Sequence, residues 1–316
     1  MTVRSKVSII GAGAVGTSLA YALLIQRIAG EVALYDVNAA KVEAEILDLA
    51  HGSQFFNPSE VYGGDDLEVV RNSNMVVITA GAKQKPGQSR LDLAATNVAI
   101  LHELMPKLVR LAPDAVYLLV TNPCDVLAYA AVKFSGLPAN RVFSSGTVLD
   151  TSRLRWQLAE RTGVSIDSVH ALIIGEHGDS EFPLWSQAKI GPISLTDWKI
   201  NGMAPLSTDE LDQIADEVKN AAYKVIEGKG ATNFAIGLSG ARIVQAVLRD
   251  EQAILPVSAV LHNYLGISDV ALSVPTVVNG QGASRPLEFD ITDAELEKLQ
   301  HSAETLGASL KTLGLR

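Results

Sequence analysis

A glycine-rich turn near the start of the chain constrains the fold more than any other feature. The apolar run Val7 to Ile10 leads directly into Gly-Ala-Gly-Ala-Val-Gly at residues 11–16, and apolar residues then recur at helical spacing. This order predicts a strand, a tight turn and a helix. Gly11 permits the turn, Gly13 lets a pyrophosphate approach the backbone, and Gly16 allows the helix to pack closely. We therefore expect a dinucleotide-binding unit, with the free amides of the helix start facing the anion.

The acidic residue Asp36 indicates which dinucleotide the unit binds. It follows the second predicted strand, Glu31 to Tyr35, and neither of the next two residues is Arg or Lys. Its carboxylate can accept hydrogen bonds from both ribose hydroxyls of the adenosine and would repel a 2′-phosphate, which favours NAD over NADP. The alternative is that Asp36 only caps the next helix.

Strands and helices alternate through the first half of the chain. Three more strands are predicted at Met75–Thr79, Ala115–Val120 and Arg141–Phe143, between helical patterns at 91–112 and 124–135. This alternation predicts a Rossmann-type, doubly wound parallel sheet of the α/β class. Ligands of such sheets bind beyond the carboxyl ends of the strands, so we expect these strand ends to line a cofactor crevice.

The alternation fades past Gly146. One helix is predicted from Asp150 to about Glu160 and another from near Thr232, and two more should follow capping boxes at Ser207 and Thr292. Strands are predicted at Ile254–Leu261 and Val270–Val278. We expect an α+β substrate domain with antiparallel strands. The predicted division is 1–145 for the nucleotide and 146–316 for the substrate.

One histidine in this second half stands in an unusual setting. His177 lies between two glycines and two carboxylates at the end of an apolar run, where it can serve as an acid/base near neutral pH. The alternative is a hydrogen-bonded histidine in a turn. Asp150 and Arg153 share one helix face. They form either a surface ion pair or a site in which Asp150 fixes the tautomer of His177 and Arg153 clamps a substrate carboxylate.

Composition limits the partners. The net charge is −9 at pH 7, which argues against nucleic acid or an anionic membrane as the main partner. The single cysteine, Cys124, excludes an internal disulfide and a cysteine-based zinc site, and we predict no metal. No apolar stretch approaches 18 residues, and the first apolar run is better explained as a strand than as a signal peptide, so we expect a cytoplasmic protein.

Six motifs together resemble the lactate/malate dehydrogenase family, in the form of its bacterial L-lactate dehydrogenases, over essentially the whole chain. They are the glycine turn, the polar segment Gln84–Arg90, Thr121-Asn122-Pro123, Leu149–Arg153, Gly175–Asp179 and Gly230-Ala231-Thr232. The resemblance implies reversible hydride transfer between L-lactate and NAD. His177 would exchange the hydroxyl proton, Asp150 would orient the imidazole of His177, and Arg153 would bind the substrate carboxylate. Arg90 would polarise the C2 oxygen when the segment closes as a lid, although that segment read alone is equally a surface loop.

The same resemblance assigns contacts. Those expected for the substrate are Gln84, Arg90, Asn122, Asp125, Asp150, Arg153 and Thr232. Those expected for the cofactor are Gly11, Gly13, Val15, Gly16, Asp36, Lys41, Tyr62, Gly81, Ala82, Val120, Thr121, Asn122 and Ser145.

Substrate choice depends on Gln84. Malate dehydrogenases that resemble this chain carry arginine there, which pairs with the second carboxylate of oxaloacetate. A neutral glutamine would leave that charge buried and unpaired, so lactate is favoured. A malate or broader 2-hydroxy-acid dehydrogenase is the alternative, because the flanking Lys83 and Lys85 could also reach a carboxylate.

Arg155 and His170 resemble positions of bacterial members that are activated by fructose 1,6-bisphosphate. A two-fold axis would gather two copies of each residue into a pocket for both phosphates. The resemblance therefore implies an allosteric homo-oligomer, either a dimer or a tetramer, of which the tetramer is favoured. The alternative is an exposed helix arginine and a strand-edge histidine.

Two other classes of protein compete. NAD-dependent glycosidases share this nucleotide-binding architecture but need a Cys/His metal site in the second half, where no cysteine follows Cys124. A non-catalytic nucleotide sensor would not need every residue that hydride transfer demands.

Overall fold

The structure is a computed structural model that describes residues 5–56, 59–82, 90–199 and 206–316 of the chain. Its α-helices are α1 Ala14–Ile25, α2 Ala39–His51, α3 Ser53–Phe56, α4 Arg90–Leu111, α5 Cys124–Ser135, α6 Val148–Thr162, α7 Thr208–Lys229, α8 Phe234–Leu248 and α9 Asp293–Thr312. Its strands are β1 Lys6–Ile10, β2 Glu31–Tyr35, β3 Glu60–Gly64, β4 Met75–Ile78, β5 Val116–Leu119, β6 Val142–Ser144, β7 Val169–His170, β8 Ile173–Ile174, β9 Phe182–Pro183, β10 Lys189–Ile190, β11 Ile193–Ser194, β12 Ala253–Leu255, β13 Ser258–Val260, β14 Ala271–Ser273, β15 Thr276–Asn279 and β16 Gly282–Pro286.

Eight strands form the central sheet, in the order β14-β13-β6-β5-β4-β1-β2-β3. The strands from β3 to β6 are parallel, and β13 and β14 extend the sheet beyond β6 in antiparallel pairs. The chain moves outward in one direction from β1 to β3 and in the other from β4 to β6. This reversal creates a crevice at the carboxyl ends of β1 and β4, and the predicted Rossmann-type fold is confirmed.

Helices cover both faces of this sheet because its strands are apolar on both sides. In β1, Val7 and Ile9 pack with apolar residues of α1 and α8, whereas Ile10 packs with those of α4 and α5 on the opposite face. All three side chains are fully buried. Strands that are buried on both faces leave the strand ends as the place where a ligand can be reached.

The second half of the chain adds smaller antiparallel sheets, as predicted: β11-β10-β7, β12-β15-β16 and β8-β9. The prediction of one continuous strand at 254–261 and another at 270–278 is wrong. Each run is divided into two strands that belong to different sheets, and Pro256 and Pro275 lie at the breaks. A proline has no N–H to contribute to a strand ladder. The predicted capping boxes at Ser207 and Thr292 are confirmed.

Candidate active site

A cavity of about 340 Å³ opens beside the carboxyl end of β5. Five parts of the chain contribute to it: α4, the turn after β5, one face of α6, the loop after β8, and α7. Its polar and charged lining includes Asn122, Asp150, Arg153, His177, Asp179, Glu181 and Lys219. Residues from both halves of the sequence therefore meet at one place.

Asp150 joins two of the basic side chains of this cavity, those of His177 and Arg153. Its Oδ2 lies 2.6 Å from Nδ1 of His177, and its Oδ1 accepts a hydrogen bond from Nη1 of Arg153 at 2.7 Å. The Asp150 side chain is only 2% exposed, against 18% for Arg153 and 25% for His177. The pair on α6 therefore lines the cavity and is not a surface ion pair. Because Nδ1 faces Asp150, Nε2 is left to meet a substrate.

The backbone around His177 is fixed from two sides. Gly175 exchanges hydrogen bonds with Ser273 of β14 at 2.9 and 3.0 Å, with a φ of +97° that favours glycine. A Cβ at Gly175 would lie 2.7 Å from Oγ of Ser302. The backbone N–H of His177 donates to Oδ2 of Asp125 at 2.7 Å. Asp125, expected to contact the substrate, is thus buried and directed at the backbone of the loop that carries His177.

The charges of the site shift the protonation of its members. Burial favours a neutral His177, but the charge and hydrogen bond of Asp150, with smaller contributions from Glu181 and Asp125, raise the pKa of His177 to about 9. Burial opposes ionisation of Asp150, yet His177 and Arg153 outweigh it and lower the pKa of Asp150. An imidazole held beside an ionised carboxylate is suited to exchange a proton with a substrate hydroxyl.

Sequence reasoning missed Glu181. Its side chain is 5% exposed, and its Oε2 lies 3.9 Å from Nδ1 of His177. Asp150, His177 and Glu181 offer donor atoms within 4.8 Å of one another, a spacing that could hold a cation. Asp150, however, already uses both oxygens for His177 and Arg153. The only sequence signal for Glu181 was its position four residues after His177.

The glycine turn has the properties that a bound pyrophosphate requires. Gly11 has a φ of +105°, and a Cβ there would lie 2.7 Å from the backbone nitrogen of Ala80. A Cβ at Gly16 would collide with the carbonyl oxygen of Gly11, whereas one at Gly13 would have open space within 4 Å. Gly13 precedes α1 without a side-chain cap, so the first amides of α1, including that of Val15, remain available to an anion.

Asp36 lies at the carboxyl end of β2, as predicted. Its Oδ2 accepts from the N–H of Ala12 at 2.9 Å and its Oδ1 from that of Asn38 at 3.0 Å. Asn38, not Asp36, caps α2, by accepting from the N–H of Lys41. Nζ of Lys41 lies 4.0 Å from Asp36. The carboxylate is therefore held in place beside the glycine turn, in the position that suits a ribose.

The ends of β4 and β5 are tied together by Asn97, a residue of α4 that sequence reasoning missed. The N–H of Ala82 donates to Oδ1 of Asn97, and Nδ2 of Asn97 donates to the carbonyl oxygen of Asn122, both at 2.8 Å. A Cβ at Gly81 would collide with the side chain of Thr121. The strand-end residues expected at the cofactor therefore lie together, with Val120 directly after β5 and Ser145 directly after β6.

Four expected contacts lie away from the site or outside the described residues. The hydroxyl of Tyr62 donates to Glu31 at 2.9 Å, at the opposite end of β2 from Asp36, so the structure does not bring it to the crevice. Thr232 is half-buried between α7 and α8 and is not among the described residues that line the cavity. Gln84 and the side chain of Arg90 lie outside the described residues.

Arg155 and His170 lie in one cavity on another side of α6. Its volume is about 480 Å³, and its lining also includes Arg242 of α8, which sequence reasoning missed. Nε of Arg155 donates to the carbonyl oxygen of Ala171 at 2.9 Å, which leaves the terminal nitrogens of the guanidinium for another partner. Two arginines and a histidine thus contribute to a pocket separate from the cavity of His177.

The nucleotide-type sheet and the histidine–aspartate pair at its edge define a NAD-dependent oxidoreductase. Comparison with known proteins gives the family. The family model described as lactate/malate dehydrogenase, NAD binding domain, matches residues 5–144, and the one described as lactate/malate dehydrogenase, alpha/beta C-terminal domain, matches residues 147–314. The chain belongs to the lactate/malate dehydrogenase family, as its motifs indicated.

Individual relatives agree with this assignment. An L-lactate dehydrogenase of Bifidobacterium animalis subsp. lactis is 51% identical over 98% of this chain and 97% of its own length. One from Clostridium botulinum is 45% identical over 97% and 96%. The crystal structure of a minor L-lactate dehydrogenase from Enterococcus mundtii has a TM-score of 0.93 at 41% identity and covers 98% of both chains.

Among the described residues, no helix combines the length and the apolar character needed to cross a membrane.

Proposed function

We propose that the chain catalyses reversible hydride transfer between L-lactate and NAD, giving pyruvate and NADH. The observation that carries this proposal is that one buried carboxylate, that of Asp150, bonds to both a base, His177, and a carboxylate-binding group, Arg153. Oxidation of a 2-hydroxy acid needs a base at the C2 hydroxyl and a cation at the carboxylate attached to C2. The relatives named L-lactate dehydrogenase support the choice of acid.

The residues of the chain divide the work. Nε2 of His177 takes the hydroxyl proton during oxidation and returns it during reduction, while Asp150 stabilises the imidazolium. Nitrogens of Arg153 that are not bonded to Asp150 bind the substrate carboxylate. Asn122 and Arg90 donate hydrogen bonds to the C2 oxygen. When NAD is bound, its nicotinamide supplies or accepts the hydride.

The cofactor is held by the first half of the chain, which we propose as a domain of residues 1–145, with a substrate domain of residues 146–316. Open space at Gly13, uncapped amides on α1 and the fixed carboxylate of Asp36 fit a dinucleotide. Gly81, Ala82, Thr121 and their neighbours would extend the site toward the nicotinamide.

Gln84 decides between lactate and malate in this proposal. The test is NADH oxidation with pyruvate and oxaloacetate in parallel, for the unmodified enzyme and for Gln84→Arg. We expect a strong preference for pyruvate that moves toward oxaloacetate in the variant, because arginine would pair with the second carboxylate. Preference of the unmodified enzyme for oxaloacetate would favour the alternative, a malate or broader dehydrogenase. Turnover of neither would reject both.

We also propose that fructose 1,6-bisphosphate activates the enzyme at the cavity of Arg155 and His170. Arg242 in the same cavity adds a third basic side chain. Pyruvate saturation curves should shift to lower concentrations when fructose 1,6-bisphosphate is added, and Arg155→Gln should abolish the shift. Unchanged curves at several pH values would reject activation.

A homo-oligomer, either a dimer or the favoured tetramer, completes the proposal. Leu238 and Ile254 line the same cavity and are 52% and 53% exposed, and Phe234 on α8 is 70% exposed. A second copy of the chain would cover such apolar side chains and bring a second Arg155 to the cavity. Sedimentation equilibrium measures the mass directly. We place the enzyme in the cytoplasm, where its single cysteine suits a reducing environment.

A further inference from the structure

Lys219 is a basic side chain in the cavity of His177 that the proposed reaction does not use. It lies on α7, is half-buried, and lines the cavity together with Arg153 and His177. Among the described residues, none forms an ion pair with its ammonium group. A half-buried cation without a counter-ion is available to an anionic ligand.

The packing of α7 directs Lys219 into the cavity. Ile214 and Val218 are buried, and they pack with apolar side chains of α6. Lys219, Ala222 and Tyr223 share one flank of the helix, next to this buried stripe, and all three line the cavity. The position of the Lys219 side chain therefore follows from the face that α7 buries.

The described lining of the cavity contains as many acidic as basic side chains. The acids are Asp150, Asp179 and Glu181, and the bases are Arg153, His177 and Lys219. This balance counts the imidazole of His177 as protonated. Without Lys219 the acids would outnumber the bases even then, and a 2-oxo acid, itself an anion, would enter a cavity with an excess of negative charge.

Arg153 alone does not offset this excess. Its Nη1 donates to Oδ1 of Asp150 at 2.7 Å, so the adjacent carboxylate cancels most of its charge at longer range. Arg153 can therefore bind a carboxylate at contact but attracts it only weakly from a distance. Lys219 has no such counter-ion among the described residues, so its field extends into the cavity.

We propose that Lys219 is an affinity-determining residue for the 2-oxo acid. Its ammonium group attracts the substrate carboxylate into the cavity and stabilises the carboxylate when it is bound to Arg153. This inference rests on the proposed function. The charge of the carboxylate does not change during hydride transfer, so Lys219 should affect substrate binding and leave the chemical step alone.

The test measures how tightly the complex with NADH binds oxamate, by calorimetric titration. Oxamate resembles pyruvate but carries an amide that accepts no hydride, so the measurement needs no turnover. Lys219→Met removes the charge and keeps an unbranched side chain. We expect oxamate affinity to fall about three- to thirtyfold, the range for one unit charge at a partly solvated site. Lys219→Arg keeps the charge and should keep the affinity.

Lys224→Met is the matched control. Lys224 lies on the same helix, but it is exposed and lines a separate groove formed by acidic and amide side chains of α7. The substitution removes the same charge, and oxamate affinity should stay within about twofold because solvent screens the exposed ammonium group. An equal loss in both variants, or no loss in Lys219→Met, would overturn the proposal.

Steady-state kinetics separates attraction from a structural role. In Lys219→Met the KM for pyruvate should rise by the factor lost in oxamate affinity, while kcat and the KM for NADH stay near those of the unmodified enzyme. The difference should shrink between about 0.01 M and about 1 M salt, because the Debye length falls from about 30 Å to about 3 Å. A lower kcat at unchanged KM, or a difference insensitive to salt, would show that Lys219 only supports α7.

The outcomes distinguish this inference from the proposed function. If the unmodified enzyme neither binds oxamate nor reduces pyruvate, the proposed function is rejected and the role of Lys219 with it. If it does both, and Lys219→Met does so with equal affinity, only the role of Lys219 is rejected. Lys219→Gln gives the same comparison if Lys219→Met does not fold, since its neutral amide also removes the charge.

Discussion

Asp125 accepts a hydrogen bond from the backbone N–H of His177 at 2.7 Å, across 52 residues of sequence. Asp125 lies in the first turn of α5, three residues after Asn122. The two groups proposed to meet the C2 oxygen, the imidazole of His177 and the amide of Asn122, are therefore held on segments joined by this bond. A buried acceptor aimed at a backbone amide sets the distance between them.

Removing the Asp125 acceptor should slow the reaction without weakening the binding of the cofactor. Asp125→Leu leaves the N–H of His177 without its partner, at a cost of about 1–3 kcal/mol. We expect kcat for pyruvate reduction to fall roughly 5- to 150-fold, while the KM for NADH stays unchanged. Asp125→Asn is the matched control, because its amide oxygen can still accept. Steady-state kinetics of both variants decides the matter, and unmodified kcat in Asp125→Leu would show that the bond does not position His177.

The raised pKa of His177 predicts opposite pH dependences for the two directions. Reduction of pyruvate needs the imidazolium, so its kcat/KM should fall as pH rises through about 9. Oxidation of lactate needs the neutral imidazole, so its kcat/KM should rise over the same range. Asp150→Asn removes the main charge that raises this pKa, so the break should move to lower pH and both rates should drop about a hundredfold or more.

Stability should follow the same group. The pKa of His177 is raised in the folded state to about 9 from an ordinary 6.5, so its contribution is complete below about 6.5 and is lost as pH rises through about 9. Urea unfolding across this range measures it, with Asp150→Asn as the comparison. A break near 6.5 in both the activity and the stability of the unmodified enzyme would contradict the assignment.

Local chemistry explains the features that could be predicted from the sequence. The strand, glycine turn and first helix follow from steric limits within residues 7–24, and Ser207 and Thr292 cap their helices through contacts three residues away. The pairing of Asp150 with Arg153 follows from helical spacing, but its burial does not. These elements depend on near neighbours, which a single sequence contains.

The features that could not be predicted depend on distant contacts. Glu181 belongs to the site because the fold brings it close to Asp150. Asn97 belongs to it because α4 carries this residue to the ends of two strands. The hydroxyl of Tyr62 donates to Glu31, a partner 31 residues away at the end of β2 opposite Asp36. No spacing rule encodes these meetings, since each requires the strand order to be known first.

Cofactor choice should depend on the charge of Asp36 and not on its hydrogen bonds. Asp36→Asn keeps an oxygen for the N–H of Ala12 but removes the negative charge that repels a 2′-phosphate. We expect the preference for NADH over NADPH, measured as a ratio of kcat/KM values, to fall about tenfold or more. Lys41, 4.0 Å from Asp36, should then be free to attract the phosphate, so adding Lys41→Gln should reverse part of the change. An unchanged ratio in Asp36→Asn would mean that another group rejects NADPH.

Two glycines of the same turn should respond differently to one added methyl group. A Cβ at Gly16 would collide with the carbonyl oxygen of Gly11, so Gly16→Ala should destabilise the free protein by roughly 1–3 kcal/mol. A Cβ at Gly13 meets no atom within 4 Å, so Gly13→Ala should leave unfolding nearly unchanged.

The methyl group at residue 13 would nevertheless occupy the space that we assign to the pyrophosphate. Gly13→Ala should therefore weaken NADH binding about tenfold or more, close to 1.4 kcal/mol, although its fold is intact. Calorimetric titration with NADH and urea unfolding of both variants separate the two effects. Unaltered NADH affinity in Gly13→Ala would place the pyrophosphate elsewhere, because a dinucleotide lying against this turn cannot avoid the added carbon.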